Sequence, residues 1–123
     1  MRIAYLAASV GFAASIIIPL FLPAQSKTGK ELFEARCTGC HAMNQDREGP
    51  RLAGVYGRRA ASVSSFPYSD ALAKSKLVWA EETLDRWLSD PDKLVPDNDM
   101  GFRVENPEER RKIIAFLKRQ TVR

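Results

Sequence analysis

The 123-residue sequence predicts an all-α fold, and three observations lead to that prediction. Apolar side chains recur at helical spacings of three and four positions within residues 81–89 and 107–117. An N-cap residue and a proline, Asn106 and Pro107, mark the start of the second of these segments. No stretch alternates apolar and polar side chains as a half-buried strand would. We therefore expect helices joined by irregular loops.

The first predicted helix begins at a capping box, in which Thr28 is the N-cap and Glu31 lies three residues later. This helix carries Leu32 and Phe33 and runs towards Cys37. After residue 41 the helical period disappears until about residue 65, and glycine and proline punctuate the intervening loop.

Three more helices are expected further along the chain. Ser69 and Asp70 can cap a short helix that reaches residue 73. A longer helix spans about 81–89 and ends at Asp90, because the residue before a proline avoids helical geometry. The last helix begins at Asn106, followed by a proline at its first helical position, and continues through residue 117.

Residues 1–26 resemble a targeting segment. Arg2 precedes an uncharged stretch over 3–22, and the small residues at 24–26 allow cleavage before Lys27. The alternative is an uncleaved membrane anchor, since about 20 apolar residues can span a bilayer. In both cases we expect a globular domain over 27–123 that lies across a membrane from the cytoplasm.

The motif that dominates the sequence is Cys37-Thr38-Gly39-Cys40-His41, the C-x-x-C-H pattern of covalent c-type haem attachment. Two thiols at this spacing can each add to one of the two vinyl groups of a porphyrin. The histidine that follows then lies over the iron and can coordinate it.

Three other interpretations compete with haem attachment. A thioredoxin-like redox pair would belong near a βαβ pattern, which is missing here. Half of a zinc site would be at least one ligand short, because the chain has two cysteines and one histidine. A structural disulfide would leave His41 unexplained. Haem attachment accounts for all three side chains.

Composition is consistent with a small domain built around a cofactor. The net charge is +4, but 15 acidic residues accompany 19 basic ones, so the balance is too mixed for a nucleic-acid-binding protein. Much of the 45% hydrophobic content lies in the first 22 residues. The remaining core is small for its length, and an apolar macrocycle would complete it.

The second axial ligand is predicted to be a methionine, because His41 is the only histidine. Met1 lies in the leader, and Met43 is too close to His41 to reach the opposite haem face. Met100 lies in a polar loop and is the favoured candidate, with a gap-filling core methionine as the alternative. With both axial positions filled, the iron can only exchange electrons.

Over residues 29–117 the sequence resembles the mitochondrial-type, class I cytochromes c. The resemblance rests on the haem motif and on a series of family positions: Gly29, Phe33, 49–52, 57–58, 66–69, Trp79, Pro96, Met100 and 113–116. It implies the class I cytochrome c fold, in which the N- and C-terminal helices cross and short helices and loops wrap around one covalent haem c.

The resemblance also implies roles for residues beyond the iron ligands. The carbonyl of Pro50 would accept the Nδ1–H of His41, which fixes the tautomer of the ring. Arg58, Tyr68 and Trp79 would donate to the haem propionates, because buried carboxylates need such donors.

Several positions depart from the family pattern. Trp87 replaces a tyrosine near the methionine sulfur, which removes a hydroxyl hydrogen bond, and Leu72 replaces an asparagine. Both changes imply a drier haem pocket, which raises the reduction potential, whereas loss of the hydroxyl hydrogen bond lowers it, so the sequence leaves the net direction open. Asp92 and Asp99 replace lysines of the docking surface. The basic residues that remain as docking candidates are Lys30, Arg36, Lys93 and Arg103.

The resulting hypothesis is a monomeric one-electron carrier, not an enzyme, that uses haem c and its iron in the bacterial periplasm or at the periplasmic face of the inner membrane. The implied partners are a quinol-oxidising complex and a terminal oxidase, reached partly by charge steering. Nucleic acid is not expected, and membrane association follows if the leader is retained. The alternatives are a small haem peroxidase or gas-binding protein that has lost Met100, or a fixed haem subunit of a larger enzyme.

Overall fold

The computed structural model describes residues 24–120 and, before them, residues 11, 18 and 19. Its elements are five helices: α1 (Gly29–Arg36), α2 (Asp70–Lys74), α3 (Glu81–Ser89), α4 (Pro91–Leu94) and α5 (Pro107–Arg119). The β pairing seen in this part of the chain is a single antiparallel bridge between Arg59 and Val78. The all-α prediction is therefore confirmed.

The predicted targeting segment, residues 1–26, lies outside the described residues except at positions 11, 18, 19 and 24–26. Within the described part of the chain, no helix is both long and apolar enough to cross a membrane. Whether the segment is a signal peptide or an anchor stays a prediction.

Helix α1 begins at the predicted capping box. The backbone N–H of Thr28 donates to Glu31 Oε2 at 2.7 Å, and the N–H of Glu31 donates back to Thr28 Oγ1 at 3.3 Å. Two otherwise unpaired donors of the first turn are thereby satisfied. Leu32 and Phe33 are buried, so the helix turns its apolar side inward.

Helices α1 and α5 cross closely because a glycine lies at the crossing. A Cβ atom on Gly29 would lie 2.2 Å from the carbonyl oxygen of Lys112. Beside this point the rings of Phe33 and Phe116 pack with their centroids 5.2 Å apart. The crossing of the first and last helices confirms the arrangement that the resemblance implied.

Asp90 ends one helix and begins another. Its backbone N–H bonds to Arg86 at the end of α3, while its side chain accepts from the N–H of Lys93 at 3.2 Å and caps α4. Pro91 occupies the first position of α4. The sequence predicted only a helix end at Asp90 and not this short helix, since one turn shows no periodicity.

The buried core is drawn from all the longer helices and from the loops. Its hydrophobic members are Leu32, Phe33, Val55, Ala60, Val63, Trp79, Leu84, Trp87, Leu88, Val95, Val104, Ile113, Ile114 and Leu117. Partly buried side chains border this cluster, among them Cys37, Met43, Leu72 and Met100. One cysteine of the C-x-x-C-H motif and Met100 thus lie at the border of the core.

Candidate functional site

The two cysteines of the C-x-x-C-H motif lie on a turn that directly follows α1. The backbone N–H groups of Cys40 and His41 both donate to the carbonyl of Cys37, at 3.2 and 2.9 Å. No disulfide joins the cysteines. Burial raises the pKa of the Cys37 thiol to about 11, which keeps this sulfur protonated and uncharged.

His41 is held as a neutral ring with one nitrogen unused. Its Nδ1–H donates to the carbonyl of Pro50 at 2.8 Å, so the lone pair of Nε2 is available for a metal. Burial lowers the pKa of His41, although the Pro50 contact acts in the opposite direction. Gly49 lies against the ring: a Cβ there would approach Cε1 to 2.2 Å.

Met100 is positioned by its own loop. The N–H of Met100 donates to Asn98 Oδ1 at 2.7 Å, and the Asn98 amide donates to the carbonyl of Val95 at 2.9 Å and to Asp92 at 3.1 Å. Asp97 adopts a left-handed conformation with φ +64°, which turns the chain sharply before Met100. Asn98 was not predicted to have a role, although an asparagine whose side chain accepts from the backbone two residues later is a typical turn.

Trp87 donates a hydrogen bond to the Met100 sulfur. Its Nε1–H lies 3.1 Å from Sδ, and its ring packs on Trp79 with centroids 5.3 Å apart. The expected loss of a hydrogen bond to the sulfur is therefore wrong: the tyrosine hydroxyl is gone, but the longer indole supplies another donor. A thioether sulfur has two lone pairs, so one remains for a metal.

Arg58 is a half-buried cation with an unmet hydrogen-bonding group. Its Nη1 and Nη2 donate to the carbonyls of Ala53 and Arg51 at 3.2 and 3.0 Å, but its buried Nε has no partner. Desolvation lowers the pKa of Arg58. Such an orphaned donor fits an anionic group of a bound molecule.

Tyr68 and Trp79 lie in the same region as Arg58. The hydroxyl of Tyr68 accepts from the N–H of Val63 at 3.2 Å, which leaves its own proton free to donate. The backbone N–H of Trp79 donates to the carbonyl of Arg58 at 2.9 Å, next to the isolated bridge. The structure thus brings two of the three expected propionate donors onto adjacent, paired segments.

These observations test whether the residues fit a covalent haem, and they do. The site offers two unlinked sulfurs, a neutral imidazole, a thioether sulfur and an unsatisfied buried guanidinium N–H. A zinc site finds no support, because in residues 24–120 no cluster of three histidine, cysteine, aspartate or glutamate side chains could hold a metal ion.

The candidate docking cations are largely neutralised within the chain itself. Three of the four are in ion pairs: Arg36 with Glu109 at 2.8 Å, Lys30 with Glu34 at 2.9 Å, and Arg103 with Asp90 at 2.9 Å and Asp92 at 3.4 Å. Pairing reduces the positive potential that these side chains project into solvent.

Comparisons with known proteins agree with the geometry. The Cytochrome c family model matches residues 26–121. Cytochrome c2 iso-2 of Magnetospirillum molischianum is 42% identical over 85 residues, covering 67% of this chain and 88% of that protein. Cytochrome c of Arabidopsis thaliana is 32% identical over 109 residues, covering 85% of this chain and 97% of that protein.

A solved structure shows the same fold. Cytochrome cH from Methylobacterium extorquens superposes with a TM-score of 0.70 and 39% sequence identity, covering 74% of this chain and 94% of that one. The sequence motif, the helix crossing and these matches agree. The chain therefore belongs to the cytochrome c family and has the class I fold.

Proposed function

We propose that this protein is a one-electron carrier in which His41 and Met100 are the axial ligands of a haem c held through Cys37 and Cys40. The observation that carries the proposal is a pair of neutral side chains, each with a lone pair available for iron and each oriented by a hydrogen bond. His41 donates to Pro50, and Met100 accepts from Trp87.

Pro50 sets which nitrogen of His41 is available. A carbonyl can only accept, so the ring proton stays on Nδ1 and Nε2 presents its lone pair. The same hydrogen bond makes the imidazole more electron-donating towards a metal. Gly49 makes room for the ring, because any larger residue would overlap it.

Trp87 plays the matching part for Met100. Its indole N–H orients the sulfur and draws electron density from it, which weakens the thioether as a donor to ferric iron. We expect this contact to favour the reduced state. Leu72, in place of the family's asparagine, keeps the surroundings apolar and acts in the same direction.

Arg58, Tyr68 and Trp79 are proposed to hold the propionates. Arg58 contributes the unpaired Nε, Tyr68 a free hydroxyl proton, and Trp79 an indole N–H in the core. Partial burial costs the Arg58 cation some of its hydration, and an anionic propionate beside it would offset that cost.

The haem supplies a reversible one-electron change between ferric and ferrous iron. Because protein side chains would fill both axial positions, no coordination site is left for oxygen, peroxide or a substrate. Like its relatives named cytochrome c and c2, the protein is an electron-transfer protein and not an enzyme. The peroxidase and gas-binding alternatives are not favoured. Its partners are other redox proteins.

The cellular location and the specific partners belong to the same proposal. We place the domain 27–123 in the bacterial periplasm or at the periplasmic face of the inner membrane, as a monomer between a quinol-oxidising complex and a terminal oxidase. Residues 1–26 would be the signal peptide or the retained anchor. N-terminal sequencing of the protein from soluble and membrane fractions would distinguish these two.

The axial assignment is tested with a matched pair of methionine substitutions. The oxidised protein should show the weak far-red band of methionine–iron ligation. Met100→Leu, which preserves volume, should abolish the band and allow cyanide to bind rapidly. Met43→Leu, at the other half-buried methionine, should leave both unchanged. Survival of the band in Met100→Leu would disprove the assignment.

A further inference from the structure

Arg110 is the one buried charged side chain in the part of the chain that the structure describes, with 9% of the residue exposed. It projects from the first half of α5. Its Nε donates to Asp85 Oδ1 at 2.7 Å, and its Nη1 donates to the carbonyls of Val104 and Glu105 at 2.9 and 2.8 Å. A buried arginine needs a full set of partners, and here the partners lie on two segments, α3 and the stretch that precedes α5.

Those contacts join α3 to the segment that follows Met100. Asp85 belongs to α3, and Val104 and Glu105 lie between Met100 and α5. A direct backbone bond accompanies the guanidinium, from the N–H of Val104 to the carbonyl of Leu88 at 2.7 Å. The chain is therefore fixed to α3 four residues after the methionine.

Helix α3 also carries the residue that contacts the sulfur. Trp87 precedes Leu88 and donates to Met100 Sδ at 3.1 Å. The same helix, α3, thus carries the indole that contacts the sulfur and holds the 104–105 segment. Between Met100 and Val104 the chain is exposed and has no helix or strand of its own to hold it. The guanidinium of Arg110 consequently lies where this exposed stretch ends and the chain is held against α3.

We infer that Arg110 is a positioning residue that holds the end of the Met100 segment against α3 and thereby keeps the sulfur at its ligating position. This inference rests on the proposed ligation of iron by Met100. Without the guanidinium, two carbonyls would lose their donor and the segment would be freer to move away from α3. The methionine would then be displaced more easily by another iron ligand.

The geometry requires an arginine and not simply a positive charge. The guanidinium donates in two directions at once, with Nε towards α3 and Nη1 towards the loop carbonyls. A lysine ammonium is a point donor on a flexible stem and cannot span the two segments in the same way. The carboxylate of Asp85 remains about half exposed, which limits the desolvation cost of the pair.

The test is a titration of the oxidised holoprotein with imidazole, which competes with methionine for the iron. Loss of the far-red band is followed in wild type, Arg110→Gln, Arg110→Lys and Asp85→Asn. Arg111→Gln is the matched control, because it removes the same charge from the next residue of α5, which is exposed and paired within its own helix to Glu108. Thermal unfolding is measured for every variant.

We expect Arg110→Gln to bind imidazole about tenfold more tightly than Arg111→Gln, with Arg110→Lys and Asp85→Asn changed in the same direction but less. Equal imidazole affinities in Arg110→Gln and Arg111→Gln would overturn the inference. If Arg110→Gln does not fold, the lysine and asparagine variants decide. A lower unfolding temperature in them without tighter imidazole binding would show a purely structural role. A wild-type protein without the band would instead refute the ligation by Met100 itself.

Discussion

The backbone at Gly49 lies close against the ring of His41 in the proposed haem site, and Gly49→Ala is the sharpest test of this close approach. The added Cβ would lie 2.2 Å from Cε1 and 2.7 Å from each ring nitrogen. Ordinary van der Waals contact begins at 3.4 Å, so the ring or the backbone must retreat by about 1 Å. A shift of that size breaks the 2.8 Å hydrogen bond from His41 to Pro50.

The cost of Gly49→Ala follows from these two effects. Overpacking a closely fitted site typically costs about 1–3 kcal/mol, and a lost hydrogen bond adds about 1 kcal/mol. We therefore expect the free energy of unfolding of the holoprotein to fall by about 2–4 kcal/mol. Guanidinium denaturation followed by haem absorbance measures this change.

A control for Gly49→Ala lies in the haem motif itself. A Cβ at Gly39 would meet no atom within 4 Å, so Gly39→Ala should leave the free energy of unfolding nearly unchanged. The reasoning fails if the two variants unfold at the same denaturant concentration, or if Gly49→Ala retains the wild-type stability and far-red band.

Two further predictions concern single hydrogen-bonded contacts. Trp87→Phe removes the hydrogen-bond donor to the Met100 sulfur while keeping an aromatic ring. The sulfur then gives more electron density to ferric iron, so the reduction potential should fall. A higher reduction potential in voltammetry would contradict this. Asp46 accepts from the Ser65 hydroxyl and from the backbone N–H of Arg51, and these bonds lower the pKa of Asp46. The folded state then binds a proton less readily than the unfolded chain, so stability should decline as the pH falls below about 4. In chemical denaturation, the stability of Asp46→Asn should depend less on pH in this range. If its stability falls with pH as steeply as that of the wild type, the hydrogen bonds of Asp46 are not the cause of the decline.

Local signals in the sequence predicted most helix boundaries. The capping box at Thr28 and the Asn106–Pro107 start lie within the helix ends themselves, so each is visible in a few consecutive residues. The haem motif is similarly local. Helix α4 was missed because a single turn has no period to detect, and Asp90 carries helix-end and helix-start signals together.

The contacts that were missed or misjudged are those between distant segments. Arg110 looked like one of several charges in a helix, and only its neighbours across the fold show that it is buried. Trp87 was correctly placed near the sulfur by the family resemblance, but its hydrogen bond depends on the reach of the indole ring. Sequence spacing carries no information about either distance.

The two tryptophans of the chain lie together, with ring centroids 5.3 Å apart, and both are buried. Their ultraviolet emission therefore originates from one locality, beside Met100. A porphyrin absorbs in the range where indoles emit, so the tryptophan fluorescence of the native holoprotein should be strongly quenched. The fluorescence should increase when the region around the two tryptophans unfolds. Fluorescence can thus follow the opening of this single region without an introduced label.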